Sequence, residues 1–122
     1  MLLVQVPESA AAGSVSTTVR VGYDDIDHNW HINNASYTAF ALECAAQAAA
    51  AGYYSRIQDD VAFYPARSLT PVHLAESFVG DELTVTTWED PDNAMLLHFL
   101  VHRQQQRIFY AKIEFDDPRV LQ

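Results

Sequence analysis

Residues 34–52 read NASYTAFALECAAQAAAAG, the strongest secondary-structure signal in the chain. Alanine, the residue with the highest helix propensity, fills nine of these nineteen positions, and no proline interrupts them. Asn33 or Asn34 suits the N-cap of a helix here, and Gly52 suits its end. Such a helix would span about 28 Å at 1.5 Å per residue. Because its side chains are small, it can approach a flat surface closely, which predicts a helix lying across a β-sheet.

Around this helix, the chain shows the alternating, β-branched pattern that is typical of strands. The predicted strands cover residues 15–23, 67–78, 83–89, 95–103 and 107–115. Pro71 indicates an edge or a bulge in the second of them, because proline cannot donate to a strand ladder. Short turns join the last four strands, and the final hairpin turns around Gln104, Gln105 and Gln106. We therefore predict an α+β fold, with one long helix packed on a curved antiparallel sheet of about five strands.

Composition limits the classes of protein that fit. The chain has 122 residues, 49% of them hydrophobic, which suits a single domain over 1–122 whose first fourteen residues form a loose arm. Its formal net charge of −9 argues against nucleic acid and anionic membranes as partners. A single cysteine, Cys44, excludes a disulfide framework within the chain. No apolar run reaches the roughly 18 residues of a membrane helix, and no secretory signal is evident, so we expect a cytoplasmic protein.

The segment that leads into the helix carries the polar groups best suited to chemistry. Residues 25–34 read DIDHNWHINN, and polar side chains alternate with mostly bulky ones. In extended backbone, this alternation would place a carboxylate, an amide and an imidazole on one face. The helix N-terminus that follows offers free N–H groups, which can stabilise a developing oxyanion. An ordinary capping loop explains the composition about equally well.

A metal site in the same segment is poorly supported. Residues 25–29 begin like a calcium loop, but Trp30 stands where that loop needs glycine and Ser36 where it needs its closing glutamate. His28 and His31 together with a carboxylate have only weak zinc spacing. We predict neither a metal nor a cofactor.

The stretch DIDHNWHINNASY, residues 25–37, resembles the D-x-D-x-x-x-H-x-N-N-x-x-Y signature of hotdog-fold thioesterases. It is especially similar to the plant-type acyl-carrier-protein thioesterases, and residues 80–83 match the G-D-E-L turn of the family. The resemblance covers about residues 15–116. It implies a hotdog fold, a homodimer or tetramer with sites at a subunit interface, and hydrolysis of acyl-CoA or acyl-carrier-protein thioesters.

The resemblance also assigns roles to residues. It carries the catalytic carboxylate onto Asp27, which would attack the thioester carbonyl or activate a water, with Asn29 and His31 in support. We expect the oxyanion to be held by backbone N–H groups near Asn33, Asn34 and Ala35. Further candidates at the site are Trp30, which replaces the glycine of many relatives beside the acyl channel, and Glu43, a carboxylate within the helix. For Glu43, a polar position at the helix edge is the simpler interpretation.

Other groups have weaker claims to a role. His73 is expected to be structural or to line a pocket, and His98 and His102 to lie on a solvated or interface face. Arg103, Arg107 and Lys112 cluster near one hairpin, where they would either meet phosphates or form plain surface charge. Three alternatives stay open for the function: a non-enzymatic protein that binds an acyl thioester or lipid-like ligand, an enoyl-thioester hydratase, and an interaction module.

Overall fold

The computed structural model describes residues 4–26 and 32–119, and it contains one α-helix and one five-stranded sheet. The elements are β1 (Val15–Arg20), α1 (Asn34–Ala50), β2 (Ala66–His73), β3 (Glu82–Asp90), β4 (Asn93–Arg103) and β5 (Gln106–Phe115). Short 3-10 helices lie at Tyr23–Asp25 and Val61–Phe63. The predicted α+β architecture and the order of its elements are confirmed.

The sheet is antiparallel throughout, with the strand order β1-β3-β4-β5-β2. β2 therefore lies at an edge, as Pro71 predicted, and its register with β5 shifts between Ala66 and Ser68. The β4–β5 hairpin turns where expected, and Gln104 adopts a φ of 53° there. Tight hairpin turns need such a positive φ because it matches the twist of the flanking strands.

Helix α1 packs its alanine face on the inner face of the sheet. Ala41, Ala45 and Ala48 are buried against strand residues that include Leu97 and Phe99. Because alanine carries a single methyl group, the helix backbone can lie close to these larger side chains, and the sheet supplies most of the bulk of the core. Fully burying each large apolar side chain contributes roughly 1.5–3 kcal/mol, so this contact is a principal source of stability.

Local caps define the two ends of α1. At the start, the Oδ1 of Asn33 accepts a hydrogen bond from the N–H of Ala35 at 2.9 Å, which decides between the two predicted N-caps. At the end, Ala50 is the last helical residue, two positions earlier than predicted. Gly52 adopts a φ of +81°, a conformation in which the helix cannot continue.

The N-terminal arm lies on the outer face of the sheet, opposite α1. Its described part, from Val4 to residue 14, contains no helix or strand, but Val4, Val6 and Ala10 pack against buried outer-face residues. Arg107 donates hydrogen bonds to the carbonyl oxygens of Val6 at 3.4 Å and Pro7 at 2.9 Å. The arm is thus attached to the sheet rather than loose. Within the described ranges, no helix has the length and apolarity that crossing a membrane requires.

Candidate functional site

A cleft of about 550 Å³ lies at the N-terminus of α1. Its helix side is formed by Ile32, Asn34 and Tyr37, and its other side by His73 at the end of β2 and by Leu74 and Glu76 after it. Apolar, imidazole and carboxylate groups therefore share one concave surface. Clefts of this size, with a few polar groups converging on apolar walls, are typical ligand sites.

The sequence segment 25–34, which carries the predicted catalytic groups, contributes Ile32 and Asn34 to the lining of this cleft. Ile26 and Ile32 form an antiparallel bridge, and the N–H of Asn33 donates to the carbonyl of Asp25 at 2.7 Å. These contacts hold Asp25 and Ile26 beside Ile32 and Asn33, directly before α1. The predicted site residues Asp27, Asn29, Trp30 and His31, together with His28, lie outside the described residues.

The predicted oxyanion donors differ in their availability. The N–H of Asn33 is bound to Asp25, and the N–H of Ala35 is bound to the side chain of Asn33. The N–H of Asn34 has no hydrogen-bond partner among residues 4–26 and 32–119, and Asn34 itself lines the cleft. Of the three predicted donors, Asn34 is therefore the one that remains available to a ligand at the positive end of the helix dipole.

Tyr37 forms the floor of the cleft. Its ring stacks on Phe109, with centroids 4.8 Å apart, and His73 meets both rings edge-on at 5.5 Å and 5.1 Å. Its hydroxyl forms a hydrogen bond with the buried hydroxyl of Ser77. Burial raises the pKa of Tyr37 above its ordinary value, so the phenol stays protonated. The expectation that His73 lines a pocket is confirmed.

Sequence reasoning missed Ser77 and the whole wall that runs from Leu74 to Glu76. The final tyrosine of the signature, Tyr37, marked one half of the buried hydroxyl pair. Its partner lies 40 residues away, in a stretch without a motif. The wall could have been predicted from its position in the sequence, directly after the predicted edge strand and before the G-D-E-L turn.

Glu43 lies away from the cleft, about two and a half turns further along the exposed side of α1. It borders a groove of about 360 Å³ that also involves Val19 and Phe40, and a second groove of about 500 Å³ near Leu42. Nine residues of helix separate Glu43 from Asn34, or about 13 Å at 1.5 Å per residue. Among the predicted site residues that the structure describes, Glu43 therefore does not share the cleft with Asn34.

The basic residues of the last hairpin are mostly engaged within the chain. Arg103 bonds to the Oδ2 of Asp81 at 2.7 Å and to the carbonyl of Glu76 at 3.2 Å. The same Asp81 oxygen accepts from the N–H of Phe78 at 2.8 Å, so this arginine fixes the turn before β3. Arg107 fastens the N-terminal arm. Of the three cations, Lys112 alone has no partner in the described part of the chain, so they do not form a free phosphate-binding cluster.

Two sequence expectations outside the cleft had different outcomes. Cys44 is fully buried, as a small core residue should be, and burial raises the pKa of its thiol. His98, expected on a solvated or interface face, is largely shielded from solvent within the chain. Its side chain is only 14% exposed, and it bonds to Asp90 and Tyr110 on the outer face of the sheet. Across residues 4–26 and 32–119, no three potential metal ligands come together.

Known structures share this architecture. A probable thioesterase from Bartonella henselae superposes with a TM-score of 0.71 at 13% identity, over 87% of this chain and 92% of its own. A 1,4-dihydroxy-2-naphthoyl-CoA thioesterase from Synechocystis gives 0.69 at 13% identity, over 84% and 80%. An acyl-ACP thioesterase from Bacteroides thetaiotaomicron gives 0.64 at 20% identity, over 94% of this chain but 42% of its own. No curated protein sequence matches the chain.

These similarities show that the chain has the hotdog fold, with one helix on a five-stranded antiparallel sheet. Residues 8–117 match the family model of the acyl-ACP thioesterase C-terminal domain. The chain belongs to this family and is an acyl thioester hydrolase. The resemblance found in the sequence is confirmed.

Proposed function

We propose that this chain hydrolyses the thioester of an acyl-CoA or an acyl carrier protein in the cleft at the N-terminus of α1, with Asp27 as its catalytic carboxylate. One observation supports this most directly. Ile26 and Ile32, the residues that flank positions 27–31 in the chain, pair in a bridge, and Ile32 lines the cleft. Asp27 directly follows Ile26 in the chain, and His31 directly precedes Ile32.

In this proposal, each group has a chemical task. Asp27 attacks the thioester carbonyl or removes a proton from an attacking water, and Asn29 orients that water or the substrate. The N–H of Asn34 and the helix dipole stabilise the oxyanion of the tetrahedral intermediate. The carbon–sulfur bond then breaks, and His31 supplies a proton to the departing thiolate. If Asp27 is the nucleophile, a water then hydrolyses the anhydride between Asp27 and the acyl group and releases the acid.

The proposal includes a second copy of the chain beside the cleft. Strand β2 is an edge strand, and its outer side has no strand partner in the described structure. Leu69 on this strand is 44% exposed, and Leu42 on α1 is 36% exposed. An open edge next to exposed apolar side chains favours pairing with another copy, because pairing satisfies the free backbone groups and covers the apolar surface.

Thiol release from a panel of acyl-CoAs and acyl carrier proteins tests the proposal. We expect Asp27→Asn to lower kcat/KM by a factor of about 10² to 10⁴, the usual contribution of such a group. Asp24→Asn is the matched control, since Asp24 lies in the neighbouring 3-10 helix and is exposed. Turnover that survives in Asp27→Asn would remove Asp27 from the mechanism. If the wild-type chain binds these thioesters without turnover, it acts as a binding protein instead.

A further inference from the structure

Helix α1 covers strand β5 but leaves the inner face of strand β2 open. The side chains of β5 that pack under the helix are at most 2% exposed, namely Phe109, Ala111 and Ile113. Residues that lie opposite each other on two paired strands share one face of the sheet. The residues opposite these three on β2 are all exposed, namely His73, Pro71 and Leu69. A largely apolar strip of β2 therefore lies uncovered beside the helix.

The strip on β2 faces a matching row of residues on α1. Asn34, Thr38 and Leu42 are spaced four residues apart, so they lie on one side of the helix. At one end of this row, Asn34 shares the cleft with His73. At the other end, Leu42 shares the groove of about 500 Å³ with Ala66, the first residue of β2. The cleft and this groove are thus the two ends of one gap between the helix and the strand, which we call the α1–β2 channel.

The channel has the length of a medium acyl chain. From Asn34 to Leu42, α1 rises about 12 Å at 1.5 Å per residue. From His73 to Leu69, β2 advances about 13 Å at roughly 3.3 Å per residue. Carbon–carbon bonds of about 1.5 Å at near-tetrahedral angles advance an extended alkyl chain by about 1.25 Å each, so about ten carbons span this distance. Beyond Leu42, Val61 and Tyr64 line the far end of the groove, which limits the length that fits.

The groups along the channel select an uncharged aliphatic occupant. At the cleft end, the N–H of Asn34 is available to a carbonyl oxygen. The middle of the channel is lined by the exposed side chains of Leu42 and Leu69, which offer only apolar contacts. Two carboxylates, Glu43 and Asp60, lie at the far end, so an acyl group that ended in a carboxylate would be repelled there. A straight alkyl chain that ends in a methyl group meets all of these conditions.

We propose that the α1–β2 channel binds the acyl chain of the substrate and selects straight aliphatic acyl groups of about eight to twelve carbons, with Leu42 and Leu69 as specificity-determining residues. This inference rests on the proposed function, in which the thioester carbonyl lies at Asn34. A second copy paired on the β2 edge would close the open side of the channel. Strand pairing uses backbone groups in the plane of the sheet, so it leaves the inner-face side chains in place.

Binding of decyl-CoA and butyl-CoA to the full chain tests the channel without turnover. Both probes are thioethers that cannot be hydrolysed, and they differ only in the length of the alkyl chain. Isothermal titration calorimetry gives the two affinities. Each fully buried methylene raises affinity by about fourfold. Because the channel is open on one side, we expect the six additional methylenes of decyl-CoA to raise its affinity by about 10²-fold over butyl-CoA, rather than by the full product.

Leu69→Trp should lower the ratio of decyl-CoA to butyl-CoA affinity by about tenfold or more, because an indole in the strip occupies the space of several methylenes. Ser68→Trp is the matched control. Ser68 is the exposed neighbour of Leu69 on the same strand, and successive side chains of a strand point to opposite faces. The control should therefore leave the ratio unchanged.

A second pair of variants keeps the test decisive if Leu69→Trp disturbs the strand. Leu42→Trp narrows the channel from the helix side and should lower the same ratio by a similar factor. Its control is Gln47→Trp, because Gln47 is exposed on α1 and lines the groove beside β1 instead. Equal affinity of the wild type for the two probes would overturn the proposal. A ratio that is unchanged in both Leu69→Trp and Leu42→Trp would also overturn it.

The hydrolysis of decanoyl-CoA separates this inference from the proposed function. Thiol release that is absent, or that is independent of Asp27, would refute the proposed catalysis. The affinity ratios would still support the channel in that case, since they are measured on probes that do not react. Conversely, hydrolysis that depends on Asp27, together with equal affinity for the two probes, would support the catalysis and refute the channel.

Discussion

Tyr37 and Phe109 stack with their planes only 8° apart, and this contact attaches the first turn of α1 to strand β5. The hydroxyl of Tyr37 extends the attachment to Ser77, which follows the cleft wall. One side chain thus fixes the helix N-terminus relative to two distant parts of the chain. Any oxyanion site at Asn34 depends on that placement, because a hydrogen-bond donor must be aimed where the charge develops.

Tyr37→Phe separates the hydrogen bond of this residue from its packing. The ring stack on Phe109 remains, but the buried hydroxyl of Ser77 loses its partner. We therefore expect the free energy of unfolding to fall by about 1–3 kcal/mol. Thermal unfolding followed by circular dichroism measures this. Tyr53→Phe, which removes an exposed hydroxyl, should be nearly neutral. A Tyr37→Phe variant as stable as the wild type would mean that the Ser77 contact contributes nothing.

His73→Phe tests whether the wall after β2 contacts the substrate. The residue is exposed in the cleft, so a ring of similar size should leave the fold intact. Loss of one polar contact to the thioester should lower kcat/KM by about tenfold. His102→Phe is the control, because His102 lies near the β4–β5 turn and bonds to the carbonyl of Gln104. Unchanged kinetics in His73→Phe would place the substrate on another surface.

We propose that Trp30, which replaces the glycine of many relatives, narrows the acyl channel. The substitution Trp30→Gly tests this. Glycine removes the largest side chain of the DIDHNWHINN segment, and we expect activity to extend to longer or bulkier acyl groups. The measurement is kcat/KM across a series of acyl chain lengths. Relative to the wild type, the ratio of kcat/KM for a long acyl chain to that for a short one should rise by about 10-fold or more. A chain-length profile identical to that of the wild type would contradict the proposal.

Asp117→Asn tests a pH dependence of stability. Arg119 and Arg56 hold the pKa of Asp117 well below its usual range, with guanidinium–carboxylate distances of 3.0 Å. A folded-state pKa below the unfolded one gives stability that is complete above about pH 4 and is lost as the pH falls further. We therefore expect the variant to be less stable at pH 7, and the difference from wild type to shrink below about pH 4.

Urea unfolding at pH 7, 5, 4 and 3 measures this difference. Asp116→Asn is a useful comparison, because Asp116 is paired with a single arginine, Arg67, at 3.2 Å and is more exposed than Asp117. A constant difference between Asp117→Asn and wild type across the series would show that the carboxylate charge does not contribute to stability.

Local features of the sequence predicted the elements well. The alanine-rich run fixed α1 to within two residues at its C-terminus, because helix propensity and caps act over a few neighbouring residues. Alternation predicted all five strands, and Pro71 predicted the edge. The boundaries were less accurate. The alternation predicts that the second strand continues to residue 78, but β2 ends at His73, and Leu74, Ala75 and Glu76 line the cleft instead.

The outer face shows where pattern reasoning fails. The even spacing of His98 and His102 predicted their shared face, but not that His98 is only 14% exposed there, stacked on Trp88 and bonded to Asp90 and Tyr110. Nothing in the local sequence indicates these contacts, or that the arm packs on the same face. The arm contains small and polar residues that are typical of a loose segment, and its position is set by Arg107, a hundred residues away.

The helix, the strands and the position of residues 27–31 just before a helix N-terminus could be predicted from the chain alone, because each depends on interactions between near neighbours. Which other residues meet them depends on the packing of distant elements. The strand register brings His73 and Ser77 to Tyr37, and Asp90 and Tyr110 to His98. These contacts join residues 8 to 40 positions apart, and shifting a strand by one residue would turn its side chains to the opposite face.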